Sequence, residues 1–409
     1  MSQTRYIFST LLIALISIAL LAGLAWAKIR FAENVGGGID FAAVWNGTRG
    51  ILMEGVSPYD SQTTSKIQQM VYGRQARADE PALRVAMPLY GLVPLLPVGA
   101  IPDPLIARGV WALVLEGALA AITIFGFRVV RWRVPLVLGG ILVIFGLFWV
   151  PGFLPLLDGD PVILVGLLMV ATLAALDARI DELAGGFIFL STIKIGTALP
   201  FLIFILIWVI AQRRYRVLAG IAMTGVVLIA IATLIFPDWV WPFLRAVTAN
   251  ARSAVSLSLP RALELEWPGI GLSLGRWLVA IFIVGLVLEW RAARKRDFRI
   301  MLWTACLTIA ATPLLGFSSV PANYAVLLFP LIYTFSIMDE RWPQYGRWMI
   351  VSLMVVLFLG LWALFLRAGP IGPTLYLVLP FALVLGIYWV RWWALRPPRT
   401  WLEEIREHE

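Results

Sequence analysis

Apolar residues occur along the chain in runs of about twenty, separated by short polar segments. The first run covers residues 6–27 and exceeds the roughly 7 to 15 apolar residues of a signal peptide, so it predicts an uncleaved first span. Eleven more runs cover residues 86–101, 105–127, 134–150, 161–178, 184–211, 217–236, 270–289, 300–315, 321–337, 348–366 and 374–393. Because about 20 apolar residues cross a bilayer as one helix, the pattern predicts an all-α, polytopic integral membrane protein with about ten to thirteen transmembrane segments.

Two polar segments interrupt or follow this pattern. Residues 28–85 form one long loop before the apolar runs resume, and residues 394–409 form a short tail. No repeat of fixed period and no low-complexity linker divides the rest. We therefore predict a single transmembrane domain over residues 1–393, with a long external loop at 28–85, and a short cytoplasmic tail at 394–409.

Basic residues cluster between the later runs, at Arg213, Arg214, Arg216, Arg291, Arg294, Lys295, Arg296, Arg299, Arg341, Arg347, Arg391, Arg396 and Arg399. The positive-inside rule predicts that these clusters are cytoplasmic and that residues 28–85, 237–269, 316–323 and 367–373 are external. If all twelve runs crossed once, Arg128, Arg131 and Arg133 would also be external. We therefore expect two re-entrant segments, 86–101 and 184–211, the second folded as two half-helices around Lys194 and Pro200.

The composition limits which residue types could carry a reaction. The chain is 61% hydrophobic and 14% charged, which excludes an ordinary soluble enzyme. Its net charge is +9, and nearly all of its basic residues are arginines. Its single cysteine, Cys306, permits no internal disulfide. Its single histidine, His408, lies in the tail and excludes catalysis or metal sites based on several histidines. Carboxylates, arginines, lysines and tyrosines are left to carry any reaction.

The long loop opens with Gly36, Gly37, Gly38, Ile39 and Asp40, followed by apolar residues at helical spacing. The spacing of Phe41, Val44, Trp45, Ile51 and Leu52 predicts an amphipathic helix on the membrane surface. Asp40 stands at its start and fits two compatible roles. One is a helix cap; the other is a general base held at the water–lipid boundary.

Other polar residues each carry a functional and a structural interpretation. Tyr59 follows a Pro58 turn signal that would return it to the membrane. Lys194 interrupts an apolar stretch and is a candidate for an anionic head group, or it snorkels to the interface. Glu116, inside a span, favours a local hydrogen-bonded role. Asp158 and Asp160 permit a hard cation but also fit a turn, and Asn250, Arg252 and Arg261 in the outer loop are candidates for phosphate contact.

The order of these features resembles glycosyltransferase family 87, whose members are multi-span enzymes of the GT-C fold. The resemblance covers about residues 1–340. It rests on Asp40, Phe41, Trp45, Gly55, Pro58 and Tyr59 in the first loop, Pro88, Tyr90, Pro94 and Pro97 in the second segment, Gly159 and Asp160, Lys194 and Pro200, the basic stretch from Arg213 to Gly220, and Thr312, Pro313, Asn323 and Tyr324. Asp160 stands where the family pattern has Asn.

The resemblance implies a GT-C bundle that transfers a sugar, mannose or another hexose or pentose, from a polyprenyl-phosphate donor. The acceptor would be a lipid or glycan at the external face of the plasma membrane, the reaction would invert the anomeric centre, and no nucleic acid would take part. The external loop 28–85 would hold the catalytic region, with Asp40 as the base. Lys194, Arg252 and Arg261 would hold the donor phosphate, and Tyr59, Asp160 and Tyr324 would contact substrate. No cofactor is required; a divalent metal is permitted.

Two other classes remain open from the sequence. In a transporter or lipid flippase for an anionic substrate, Lys194, Glu116 and the arginines would line the path. In a membrane assembly protein without catalysis, the first-loop helix would bind a partner and Asp40 would only cap it.

Overall fold

The computed structural model describes residues 23, 29–30, 38–77, 79–253, 258–317, 320–368 and 373–396. Apart from residue 23, the first apolar run at 6–27 lies outside these residues, as does nearly all of the tail, so the first span and the tail stay predictions. All regular structure in the described part of the chain is helical. Together with the seven long apolar helices described below, this confirms the prediction of a polytopic helical membrane protein.

We number the helices α1 to α18 in chain order. They are α1 (Ile39–Arg49, extended by a π-helical turn, Gly50–Glu54), α2 (Ser61–Tyr72), α3 (Leu89–Gly99), α4 (Pro104–Val129), α5 (Leu136–Phe148), α6 (Val150–Asp158), α7 (Val162–Asp177), α8 (Asp181–Ser191), α9 (Ile195–Ala211), α10 (Tyr215–Ile235), α11 (Val240–Ser253), α12 (Leu259–Glu266), α13 (Gly271–Ala293), α14 (Phe298–Ala311), α15 (Leu328–Arg341), α16 (Gly346–Ala368), α17 (Pro373–Trp389) and α18 (Arg391–Leu395). Shorter 3₁₀ turns cover Thr192–Lys194, Thr312–Leu315 and Pro321–Leu327.

Seven helical segments in the described residues are long and apolar enough to cross a membrane. They are Pro104–Val129, Asp181–Ala211, Tyr215–Ile235, Gly271–Ala293, Phe298–Leu315, Pro321–Arg341 and Gly346–Arg367. The pair α5 and α6 is long and apolar enough only when taken together and bends by 53°, so it is either a broken eighth span or a re-entrant loop. The predicted run 86–101 forms only the short helix α3, broken by a 3₁₀ turn at Val93–Leu95 that contains Pro94. The count is thus lower than the ten to thirteen predicted for the full chain.

The segment Asp181–Ala211 passes the length test, yet it folds back on itself. The helix breaks at the 3₁₀ turn Thr192–Lys194, and Lys194 leaves helical geometry with φ −126° and ψ 70°. Beyond the second half, Arg214 Nε lies 3.1 Å from Oδ1 of Asp181, the first residue of the segment. A straight helix of 31 residues would hold its ends about 46 Å apart. The two half-helices therefore enter and leave at one end, as predicted, although Pro200 lies inside α9 and causes no second break.

The chain divides into two compact units. The first unit comprises residues 1–117, 156–160 and 231–253; the second comprises 118–155, 161–230 and 254–409. The core of the second unit is made by α14 and α15, whose large side chains Trp303, Phe329 and Phe335 are fully buried. Many apolar side chains on α10, α13 and α16 are exposed, as expected of helix faces that contact lipid.

Arginines of the second unit gather at one end of its helices. Arg131, just after α4, pairs with Asp177 at the end of α7 at 3.0 Å, and Arg214 donates to Leu176 O at 3.0 Å. Trp132 donates to Asp339 near the end of α15. The structure thus places Arg131 at the same end as the cluster 213–216, which removes the conflict raised by a count of twelve single crossings.

Candidate active site in the first unit

Helix α1 begins one residue before Asp40. Gly38 occupies the N-cap position with a left-handed φ of +85°, and Ile39 is the first helical residue. The prediction of Asp40 as the cap is therefore wrong: Asp40 is half-buried in the first turn. Its carboxylate still lies at the positive end of the helix dipole, which stabilises negative charge. Glycine is favoured at position 38 because other residues rarely adopt this backbone conformation.

The apolar face of α1 is covered by protein. Phe41, Ala42 and Val44 are at most 3% exposed, and Asn46, Gly47 and Thr48 on other sides of the helix are buried too. Helices α2 and α3 pack against it, and Trp45 donates from Nε1 to Ile101 O at 3.1 Å. The prediction of a helix lying on the membrane surface is corrected, because helical spacing shows that a face is buried but not what buries it.

Arg108, in the first turns of α4, contacts the start of α1. A Cβ added at Gly38 would lie 3.0 Å from Arg108 Nε, so the guanidinium passes directly beside the glycine backbone. Arg108 also donates to Leu157 O at 3.2 Å and interacts electrostatically with Asp158. This half-buried arginine therefore joins the beginning of α1 to the end of α6.

The turn at Gly159 also packs on α1. Gly159 has a left-handed φ of +69°, and a Cβ added there would lie 2.5 Å from Phe41 Cβ. Trp111 of α4 donates from Nε1 to Gly159 O at 2.8 Å. Asp160, the next residue, is only 2% exposed. The Asp158–Asp160 turn thus rests against Phe41, the residue that follows Asp40.

Tyr59 occupies the predicted turn of the same unit. Its hydroxyl donates to Met87 O at 2.7 Å, and its ring lies 6.0 Å from that of Phe243 on α11. Burial, with a smaller contribution from Tyr90, raises the pKa of the Tyr59 hydroxyl far above its usual value. Tyr59 is therefore a neutral hydrogen-bond donor that ties the loop to the segment before α3. Asn250 of α11 similarly donates to Arg84 O at 2.9 Å.

The remaining predicted site residues lie in other parts of the chain. Lys194 is half-buried at the tip of the α8–α9 hairpin, Arg261 is exposed on α12, and Tyr324 is 1% exposed in the turn Pro321–Leu327. All three belong to the second unit, whereas Asp40, Tyr59 and Asp160 belong to the first. Arg252 lies in the last turn of α11, and its side chain is outside the described part of the structure.

Two residues of the site carry no motif in the sequence. Arg108 lies within the apolar run 105–127, and Trp111 is one of 19 tryptophans. The sequence feature that points to Arg108 is its position as a single arginine near the start of a span, four residues after Pro104. Such an arginine snorkels in most membrane proteins, so its contact with Gly38 could be identified only from the fold.

No three His, Cys, Asp or Glu side chains within the described ranges are grouped so as to hold a metal ion. No protein-family profile matches the chain, and neither a curated protein nor a solved structure matches it.

Proposed function

We propose that the chain is an integral-membrane, inverting glycosyltransferase that transfers a sugar from a polyprenyl-phosphate donor to a lipid or glycan hydroxyl at the external face of the plasma membrane. The observation that carries the proposal is the setting of Asp40. Asp40 lies in the first turn of a helix whose start is held by protein: Arg108 passes beside Gly38, and the Asp158–Asp160 turn packs on Phe41. A carboxylate fixed in this way suits a general base, whose position must be held within hydrogen-bond reach of a substrate proton.

The proposed reaction uses few groups because the donor already carries a good leaving group. Asp40 accepts the proton of the acceptor hydroxyl as that oxygen attacks the anomeric carbon. The bond from this carbon to the phosphate oxygen breaks, and the polyprenyl phosphate leaves with the electron pair. Attack from the side opposite the phosphate inverts the anomeric centre. Cations stabilise the departing phosphate. Arg108 joins Lys194, Arg252 and Arg261 as a candidate for that role, and Tyr59, Asp160 and Tyr324 stay candidates for substrate contact.

The test compares sugar transfer by the purified wild type, Asp40→Asn and Asp60→Asn in nanodiscs, with labelled polyprenyl-phosphate sugars and extracted membrane lipids and glycans as acceptors. Asp60 is a matched control, because it caps α2 in the same loop by accepting from Gln62 N at 2.9 Å and asparagine caps equally well. We expect Asp40→Asn to lower turnover by about 10²-fold or more, as loss of a general base does, with Asp60→Asn unchanged. Equal turnover in all three proteins removes Asp40 from the proposed role.

A second candidate function rests on the α8–α9 hairpin. Discontinuous helices form the substrate site of many secondary transporters. The broken helix of this chain carries Lys194 at its tip. In that case the chain moves an anionic substrate or lipid, and Lys194→Met abolishes uptake into proteoliposomes while Asp40→Asn does not. Sugar transfer by the wild type combined with absence of uptake favours the glycosyltransferase.

A further inference from the structure

The second unit contains a cavity of about 490 Å³ that the proposed reaction does not use. It lies where the end of α4 meets the start of α14 and the last turns of α15, and its polar lining comprises Arg131, Asp297, Arg299, Tyr333, Ser336 and Glu340. Its volume falls within the range of about 300 to 1,000 Å³ that is usual for small-molecule sites. All of these residues belong to one unit.

The cavity lies at the ends of helices that are candidates to cross a membrane. It is lined by the last residue of α4, the first of α14 and residues near the end of α15, and each of these helices belongs to a segment long enough to cross a membrane. Tryptophans lie around the same helix ends: Trp132 donates to Asp339, and Trp342 stacks on Trp389 at 5.3 Å. Tryptophan is enriched at membrane interfaces, where lipid head groups lie.

One buried group in the cavity has an unmet hydrogen bond. Tyr333 is 3% exposed, and its hydroxyl has no hydrogen-bond partner in the described part of the chain. A buried hydroxyl without a partner is costly, so such groups point to a ligand or an ordered water. Next to it on α15, Ser336 uses its hydroxyl hydrogen to bond Tyr333 O at 2.7 Å, which leaves its oxygen free to accept.

The charges around the cavity come in both signs. Arg131 and Arg299 provide two cations, and Asp297 and Glu340 provide two carboxylates. Arg299 and Glu340 are 3.7 Å apart, which is long for an ion pair, and Arg299 also donates to Ala394 O at 2.6 Å and to Trp393 O at 3.2 Å. Asp297 occupies the N-cap position of α14 without a side-chain capping bond, so N–H groups of the first turn also face this region. The two cations and two carboxylates balance, so a ligand that carries both signs keeps this balance, whereas a purely anionic ligand would compete with the carboxylates for the arginines.

We propose that this cavity binds a phosphoethanolamine group, as a phospholipid head group or as the free compound. The phosphate takes hydrogen bonds from Tyr333 and from the arginines, and the primary ammonium is paired with Glu340 and Asp297. The position at the ends of candidate membrane-spanning helices favours the lipid source. The cavity shares no lining residue with the proposed active site, and the inference does not depend on the glycosyltransferase proposal.

The test measures lipid retention by the full chain with native mass spectrometry, after release from nanodiscs that contain equal amounts of phosphatidylethanolamine, phosphatidylglycerol and phosphatidylcholine. We expect the wild type to retain phosphatidylethanolamine preferentially. Tyr333→Phe keeps the ring and removes one hydrogen bond to a charged group, so retention should fall about tenfold. Glu340→Gln should remove the preference for phosphatidylethanolamine over phosphatidylglycerol. The controls Tyr345→Phe and Glu182→Gln alter an exposed tyrosine and an exposed ion pair elsewhere.

A second arm separates the two sources. Thermal unfolding of the delipidated protein is followed with free phosphoethanolamine and with the short-chain phospholipid. Stabilisation by both compounds, lost in Tyr333→Phe, identifies the head group alone as the ligand; stabilisation by the lipid only identifies a lipid site. Equal retention of the three lipids without stabilisation by either compound overturns the proposal. Equal behaviour of Tyr333→Phe, Glu340→Gln and the controls overturns it too. Asp40→Asn should bind as the wild type does, so failure here is distinct from failure of the proposed reaction.

Discussion

Gly159 is the residue on which the close packing of the Asp158–Asp160 turn against α1 depends. Its φ of +69° is one that residues with side chains rarely adopt, and the space for a Cβ is taken by Phe41 at 2.5 Å and Trp111 at 3.1 Å. Gly159→Ala therefore combines backbone strain with overpacking, each about 1–3 kcal/mol. We expect a clear drop in the melting temperature of the purified protein, together with reduced sugar transfer because the first turn of α1 is displaced.

Two other glycines separate these contributions. Gly55 has a φ of +62° but open space around it, so Gly55→Ala should incur the backbone strain only. Gly117 lies in α4 with nothing within 4 Å, so Gly117→Ala should be neutral or slightly stabilising, since alanine favours helix. The expected order of destabilisation is Gly159→Ala, then Gly55→Ala, then Gly117→Ala. A melting temperature for Gly159→Ala equal to that of Gly55→Ala would contradict tight packing of this turn on α1.

The connection between helices α12 and α13 depends on one carboxylate. Glu264 accepts from Gly269 N at 3.0 Å and from Leu272 N at 2.7 Å, which satisfies an N–H of the first turn of α13. These bonds, with a smaller effect of Arg261, lower the pKa of Glu264. Glu264→Ala should accelerate hydrogen exchange at Gly269 and Leu272, and Glu264→Gln should do so less because its amide oxygen still accepts. Glu266→Ala, on the same helix, serves as the control.

The pH dependence of this connection follows from the direction of the pKa shift. Because the pKa of Glu264 is lower in the folded protein, its contribution is complete above the ordinary glutamate pKa of 4.5 and is lost as the pH falls through the lowered value. The difference in exchange at Leu272 between the wild type and Glu264→Ala should therefore be constant from about pH 8 to 5 and decrease below that. A difference that grows on acidification would contradict the carboxylate cap.

The sequence predicts where helices form and break, but not which parts of the protein cover them. The break at Lys194 was predictable, because a lysine followed closely by Gly196 and Pro200 is unfavourable in a continuous apolar helix. The apolar face of α1 was predictable too, but its cover by α2 and α3 was not, since the same spacing suits a lipid surface. The contact of Arg108 with Gly38 joins positions 70 residues apart, and no local pattern encodes it.

The fold-back of residues 181–211 determines which loops share a side of the membrane. The Arg214–Asp181 pair places both ends of the hairpin together, next to Leu176 and, through Asp177, Arg131. A chain that crossed the membrane at 181–211 would instead separate Arg179 from Arg213. The prediction is that both positions are on one side, the side that the positive-inside rule assigns to the cytoplasm.

Introduced cysteines test this prediction directly, because the natural Cys306 is fully buried and should not react with the label. Arg179→Cys and Arg213→Cys, both at exposed positions, should react from the same side of sealed vesicles with a membrane-impermeant maleimide. Tyr345→Cys and Arg367→Cys lie at the two ends of α16, so they should react from opposite sides and show that the vesicles are sealed and oriented. Reaction of positions 179 and 213 from opposite sides would mean that the segment spans the membrane. Lys194 would then lie within a single crossing helix, and the argument for a transporter-like hairpin would be lost.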